Sequence, residues 1–213
     1  MVELAILDQL RAAQVIPVIR HSDTDIATKA IDLLLEQGIK AVEITTSVAD
    51  ADGLVRRLKA RDESLLVGAG TVLDRVQAQA MLDAGSDFIV SPCWVDEVAN
   101  LVIKADGVYL PGAMTPAEAL HHHKAGAALV KIFPADAAGG PGFLRALCAV
   151  FPDIPLMPTG GIQPRDVSDY LQAGAVCVGV GGNLMPSQAL EAGDLALAQA
   201  QICGALRDMP RPQ

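Results

Sequence analysis

Short apolar runs alternate with amphipathic segments along almost the whole chain, at a spacing of roughly 20–25 residues. Residues 2–13 read as a short amphipathic helix ahead of the main pattern. Residues 15–20 then read as a strand, and Ser22-Asp23-Thr24-Asp25 as a helix start with capping chemistry. The helix that follows carries Ile26, Ala30, Leu33 and Leu34 at helical spacing and ends at Gly38. Further strands are predicted over 40–45, 65–68, 87–91, 107–110, 128–135, 155–158 and 175–180. The intervening helices run to about Asp62, over 74–84 (closed by Gly85), 94–105, 116–125 (closed by Gly126), 140–150 and 164–173 (closed by Gly174). A last helix takes up much of 187–207.

Regular strand–helix alternation means parallel strands joined by crossover helices. Eight such units with no linker or composition break predict an α/β chain forming one domain over 1–213. The fold class is a (β/α)8 TIM barrel with a short N-terminal helix. A doubly wound open sheet is the runner-up, weakened because no Gly-x-Gly-x-x-Gly follows the first strand.

Composition narrows the picture. The chain is 51% hydrophobic but only 3% aromatic, so its core must be built from Ala, Val, Leu and Ile. A formal charge of −9 argues against a nucleic-acid surface, yet leaves room for a small anionic substrate at a locally positive site. No 18-residue apolar run predicts a membrane span, and the first residues lack the basic start and apolar segment of a signal peptide. Cys93, Cys148, Cys177 and Cys203 are widely spaced without a Cys-x-x-Cys pair, which reads as free thiols in a reducing cytoplasm.

In a barrel the chemistry sits at the C-terminal ends of the strands. Inward positions there are normally apolar, so three charges stand out: Arg20, Glu43 and Lys131. Period-two alternation puts Leu129, Lys131 and Phe133 on one face and Val130 and Ile132 on the other. The same parity turns Glu43 inward, with Val42 and Ile44 facing the helices. A desolvated lysine is the amine that attacks a carbonyl, whereas a buried Lys–Glu pair kept for structure alone often costs more in desolvation than it returns. Glycine-bearing segments follow several strands: Gly68-Ala69-Gly70-Thr71-Val72, Pro111-Gly112, Pro158-Thr159-Gly160-Gly161-Ile162 and Gly181-Gly182-Asn183. Those after strands seven and eight fall where barrel enzymes bind phosphate through backbone N–H groups. The run His121-His122-His123 lies inside a predicted helix, where successive side chains diverge. It reads as a solvated helix face and not as a metal site.

Val-Glu-Ile-Thr at 42–45, Gly-Ala-Gly-Thr-Val at 68–72, Ser-Pro at 91–92, Val-Lys-Ile-Phe-Pro-Ala at 130–135 and Pro-Thr-Gly-Gly-Ile at 158–162 together resemble the 2-keto-3-deoxy-6-phosphogluconate (KDPG) aldolase family. That family includes aldolases for 2-keto-4-hydroxyglutarate (KHG) and 2-keto-3-deoxy-6-phosphogalactonate. The resemblance covers nearly the whole chain. It implies a metal-independent, cofactor-free class I aldolase of a small 2-keto acid, assembled as a homotrimer. Lys131 would be the Schiff-base lysine and Glu43 the proton-shuttling carboxylate. Thr71 and Thr159 would bind the pyruvyl carboxylate, Pro92 and Phe133 shape the pocket, and Gly160 and Gly161 hold the substrate phosphate. Arg20 would meet an anionic end of the substrate. Two departures are visible. Family members acting on the phosphogluconate substrate often carry an arginine where this chain has Thr46-Ser47, and a phosphate-binding serine is replaced by Gly182 or Asn183. Rival readings are a barrel phosphosugar epimerase or decarboxylase, whose strand-end metal-binding His or Asp residues are missing, and a ligand-binding barrel that has lost catalysis.

Overall fold

The computed structural model describes residues 2–207 and 209. After helix α1 (Val2–Ala13) come β1 (Val15–Ile19), α2 (Thr24–Glu36), β2 (Ala41–Thr45), α3 (Ala51–Arg61), β3 (Leu66–Gly70) and α4 (Arg75–Asp83). Next are β4 (Phe88–Ser91), α5 (Asp96–Lys104), β5 (Tyr109–Ala113), α6 (Pro116–Lys124), β6 (Val130–Ile132) and α7 (Gly140–Val150). The last described elements are β7 (Leu156–Pro158), α8 (Val167–Gln172), β8 (Val178–Val180), α9 (Ser187–Glu191) and α10 (Leu195–Arg207). The strands pair in parallel in the order β7-β6-β5-β4-β3-β2-β1-β8. A bridge between Thr159 and Gly179, and a bond from Val176 N to Leu156 O of 2.9 Å, close the seam between β7 and β8. The result is the expected (β/α)8 barrel.

Strand parity sorts the core into an outer and an inner part. Val42, Ile44, Val67, Ala69, Val130 and Ile132 point outward and pack with the helices. Ile16, Ala41, Leu66, Phe88, Leu129, Met157 and Cys177 point inward and join Ile6, Leu10 and Ala13 of α1. The N-terminal helix thus plugs the lower mouth of the barrel. Leu10 is wholly buried, and enclosing a leucine side chain contributes roughly 1.5–3 kcal/mol. With the bottom sealed by apolar side chains, the polar inward residues are left at the opposite end. No helix among the described residues is long and apolar enough to cross a membrane.

Several boundaries differ from the sequence reading. Gly70 and Gly112, read as loop residues, lie inside β3 and β5. They are strand residues facing crowded neighbours, and glycine in a strand often marks such a close approach. The regular parts of β6, β7 and β8 are shorter than expected, three residues each. The segment 164–173 opens with a 3-10 turn, Pro164–Asp166, before α8. The single helix expected over 187–207 is two, broken where Gly193 takes φ 74° and Asp194 accepts a bond from Leu197 N at 2.9 Å.

The histidine run is not uniformly solvated. His121 is exposed, but His122 is buried and stacks on Trp94, with ring centroids 5.2 Å apart. Its Nε2 donates to the Gly112 carbonyl at 3.0 Å, bracing the strand that pairs with Lys131. Burial lowers the His122 pKa, opposed by the Gly112 hydrogen bond. Because the folded-state value lies below the unfolded one, the unfolded chain binds more protons below about pH 6.5. The contribution is therefore complete above that pH and declines as the pH falls through the lowered value. Urea unfolding should show a falling midpoint between about pH 7 and 5, and His122→Gln should flatten part of that slope. An unchanged slope in the variant would assign the acid sensitivity elsewhere.

Candidate active site

At the C-terminal ends of the strands a cavity of about 520 Å³ is lined by Arg20, Thr71, Pro92, Lys131, Phe133, Thr159, Gly160, Gly161, Gly182 and Asn183. Every substrate-binding position singled out from the sequence is in this one lining. Val18, Ile162 and Gly181 complete it. The first of these shares Arg20's strand parity two residues earlier, a signal sufficient to find it.

Lys131 lines the cavity, and Glu43, wholly buried and outside the lining, lies beside it. Lys131 Nζ lies 3.6 Å from Glu43 Oε1, within ion-pair range but too long for a hydrogen bond, and 5.3 Å from the centre of the Phe133 ring. Strand geometry dictates the meeting. Both residues stand on inward parity, one turn of the barrel interior above Leu129 and Ala41, so neither can avoid the axis. Glu43 is fully buried, and among the described residues neither carboxylate oxygen has a hydrogen-bond partner. Buried polar groups are nearly always hydrogen-bonded, so a carboxylate that has only the ion pair with Lys131 and no hydrogen bond is a costly feature that marks a functional group. Cys177, one layer below, is different: burial, then the negative charge of Glu43, push its thiol well above the ordinary range, leaving it a protonated core residue.

Glycine makes room for these groups. A methyl group added at Gly70 would strike Glu43 Oε1, and one at Gly179 would strike Thr159 Oγ1. Gly70→Ala should therefore displace the carboxylate. We expect turnover to fall about tenfold or more, with about 1–3 kcal/mol lost in urea unfolding from overpacking. Full turnover in a stable variant would mean that the position of Glu43 is unimportant.

The rim is polar. Thr159 is buried with its Oγ1 unpartnered among the described residues. The following Gly160 and Gly161 adopt φ 98° and 74°, conformations natural to glycine, so their turn holds its backbone close to the cavity. Asn183 Nδ2 donates to Ile162 O at 2.9 Å and ties the turn after β8 to the turn after β7. Across the cavity, Arg20 Nη2 donates to Thr71 Oγ1 at 2.7 Å, and Thr46 Oγ1 donates to Thr71 O at 2.9 Å. The role of Thr46 carried no signal in the sequence. Among the described residues no group of three His, Cys, Asp or Glu side chains is arranged to hold a metal ion. An amine beside a desolvated carboxylate, at the floor of an open cavity rimmed by hydroxyl and N–H donors, is suited to imine formation and proton transfer on a small anionic carbonyl compound.

Comparison with known proteins agrees with this chemistry. The family model described as KDPG and KHG aldolase matches residues 6–201. The 2-dehydro-3-deoxy-phosphogluconate aldolase of Pseudomonas aeruginosa is 36% identical over 188 residues, covering 87% of this chain and 84% of that protein. The KHG/KDPG aldolase of Escherichia coli K12 is 33% identical over 186 residues, covering 87% of each. Among solved structures, a KDPG aldolase from Legionella pneumophila, described with pyruvate captured at low pH as a covalent carbinolamine intermediate, superposes with a TM-score of 0.84 at 29% identity. It covers 96% of this chain and 98% of its own.

Proposed function

The chain belongs to the KDPG and KHG aldolase family of class I aldolases, and from that premise we propose that it cleaves 2-keto-3-deoxy-6-phosphogluconate to pyruvate and glyceraldehyde 3-phosphate. The observation that carries this reading is the buried Glu43 carboxylate 3.6 Å from Lys131, the lysine that lines the cavity.

Lys131 Nζ attacks the C2 carbonyl, and the resulting carbinolamine loses water to give a protonated imine, which acts as the electron sink. Glu43, directly or through a water molecule, takes the proton of the C4 hydroxyl. The C3–C4 bond breaks, its electron pair moves into the imine, and the aldehyde leaves. Glu43 then returns a proton to C3 of the enamine, and hydrolysis releases pyruvate and the free lysine. No step passes through a metal or an organic cofactor. Thr71 and Thr159 hold the pyruvyl carboxylate, Pro92 and Phe133 flank the reacting carbons, and the N–H groups around Gly160, Gly161, Gly182 and Asn183 receive the phosphate.

The test is a pyruvate-release assay on KDPG beside KHG and 2-keto-3-deoxy-6-phosphogalactonate. A kcat/KM at least about tenfold higher for KDPG is expected, a difference of about 1.4 kcal/mol. Preference for either other substrate would overturn this substrate assignment. No cleavage of any of the three would leave a ligand-binding barrel. We further infer a cytoplasmic homotrimer, supported by the family resemblance and by four cysteines that are all free. A sedimentation mass of one or two chains would contradict the trimer.

A further inference from the structure

Resting on the assignment of KDPG as substrate, we propose that His21 is a positioning residue: through Glu191 it tethers the segment after β8, and so sets where the Gly181-Gly182-Asn183 turn meets the substrate phosphate. That segment needs holding. Gly181 and Gly182 open it and Gly193 closes it, and a Cβ added at any of these would meet nothing within 4 Å. Glycine backbone with no packed neighbour loses much conformational freedom when it is fixed. Between the glycines lie a 3-10 turn, Gly182–Leu184, and α9, whose 5 residues are too few for a helix stable by itself. Ala189 and Leu190 of α9 are buried, and the helix packs on α2 and α10. Apolar burial of this kind holds the helix down but does not fix its direction.

Two polar bonds supply direction, one toward each neighbour of β8 in the closed barrel. On the β7 side, Asn183 Nδ2 donates to Ile162 O. On the β1 side, His21 Nε2 lies 3.0 Å from Glu191 Oε1, a contact that spans 170 residues. The other ring nitrogen decides which atom donates. Asp23 N donates to His21 Nδ1 at 2.9 Å, so Nδ1 carries no proton and Nε2–H donates to the carboxylate. Asp23 in turn caps α2, accepting from Asp25 N and Ile26 N. The imidazole is thereby fixed against the start of a helix, and its side chain is 13% exposed where that of Glu191 is 55%. A rigid, mostly buried donor thus orients an exposed carboxylate, and with it the end of α9. His21 stands outside the cavity lining, so its influence on the substrate runs through the turn that α9 follows. The turn binds through backbone N–H groups, and such bonds weaken steeply as their angle departs from linear.

The experiment measures KM and kcat for KDPG and for unphosphorylated 2-keto-3-deoxygluconate. The proteins are wild type, His21→Asn, Glu191→Ala, Glu191→Gln and the double variant His21→Asn/Glu191→Ala. Asparagine at position 21 can still accept from Asp23 N, two residues on, but is too short to reach Glu191. Glu191 is more than half exposed, so its variants keep the fold and test the tether by themselves. His21→Asn and Glu191→Ala should each raise KM for KDPG roughly 3- to 10-fold, the loss expected of one hydrogen bond. Their kcat, and their KM for the unphosphorylated acid, should stay within about twofold of wild type, because the groups around Lys131 are untouched. Glu191→Gln keeps an acceptor oxygen and should behave as wild type. The double variant should raise KM no further than either single one, since both remove the same bond. An unchanged KM for KDPG, an equal rise for both substrates, or effects that multiply in the double variant would overturn the tether while leaving the substrate assignment standing. A wild-type protein that does not cleave KDPG would overturn that assignment, and the tether's role with it.

Discussion

Lys131→Met should abolish aldol cleavage, with turnover reduced on the order of 10⁴-fold or more, because no other group in the cavity can form the imine. Methionine keeps the length and apolar stem of lysine but removes the nucleophile. It also removes the ion-pair partner of a fully buried carboxylate, and leaving such a charge unpaired costs about 3–5 kcal/mol. The single variant is therefore expected to be less stable as well as inactive. The double variant Lys131→Met/Glu43→Gln removes the stranded charge and should recover part of the lost unfolding stability while remaining inactive. Steady-state pyruvate release and urea unfolding on the same samples separate the two effects. Cleavage at even a hundredth of the wild-type rate in Lys131→Met would exclude this residue as the nucleophile.

Glu43→Gln should lower kcat by roughly 10²–10⁴-fold, the range associated with loss of a positioned general acid–base group. Glutamine fills the same volume beside Gly70 but cannot accept and return a proton. Imine formation depends on the amine of Lys131 and the electrophilic carbonyl, so trapping of pyruvate by borohydride should persist in this variant. The diagnostic is the split between the two readouts. Turnover falls steeply while adduct yield after long incubation stays near the wild-type level. Loss of both in equal measure would mean that Glu43 positions Lys131 and does not move protons.

The parts of this site that rest on period-two alternation are legible without a structure. Lys131 between Val130 and Ile132, and Glu43 between Val42 and Ile44, have their directions dictated by outward-packing neighbours, and the barrel brings both to one axis. The gathering of the glycine turns after β7 and β8 follows from chain order alone. Other features depend on contacts between elements distant in sequence. The bond from Arg20 to Thr71 spans 51 residues, and a flexible side chain leaves no periodic trace of where it ends. Gly70 and Gly112 look like turn residues because composition cannot distinguish a glycine that bends the chain from one that admits a neighbouring group. His122 did carry a signal. It stands three residues after the buried Ala119, on the inner face of α6, but the polar run around it masks that spacing.

Incubation with pyruvate and borohydride, followed by proteolysis and mass mapping, tests the chemistry most directly. The protein has lysines with other engagements, such as Lys59, which bonds Asp87 at 2.9 Å, so the position of the adduct discriminates between them. The account predicts a stable reduced pyruvyl adduct on Lys131 and on no other lysine. An adduct on Lys104 or Lys124, or none at all, would contradict it.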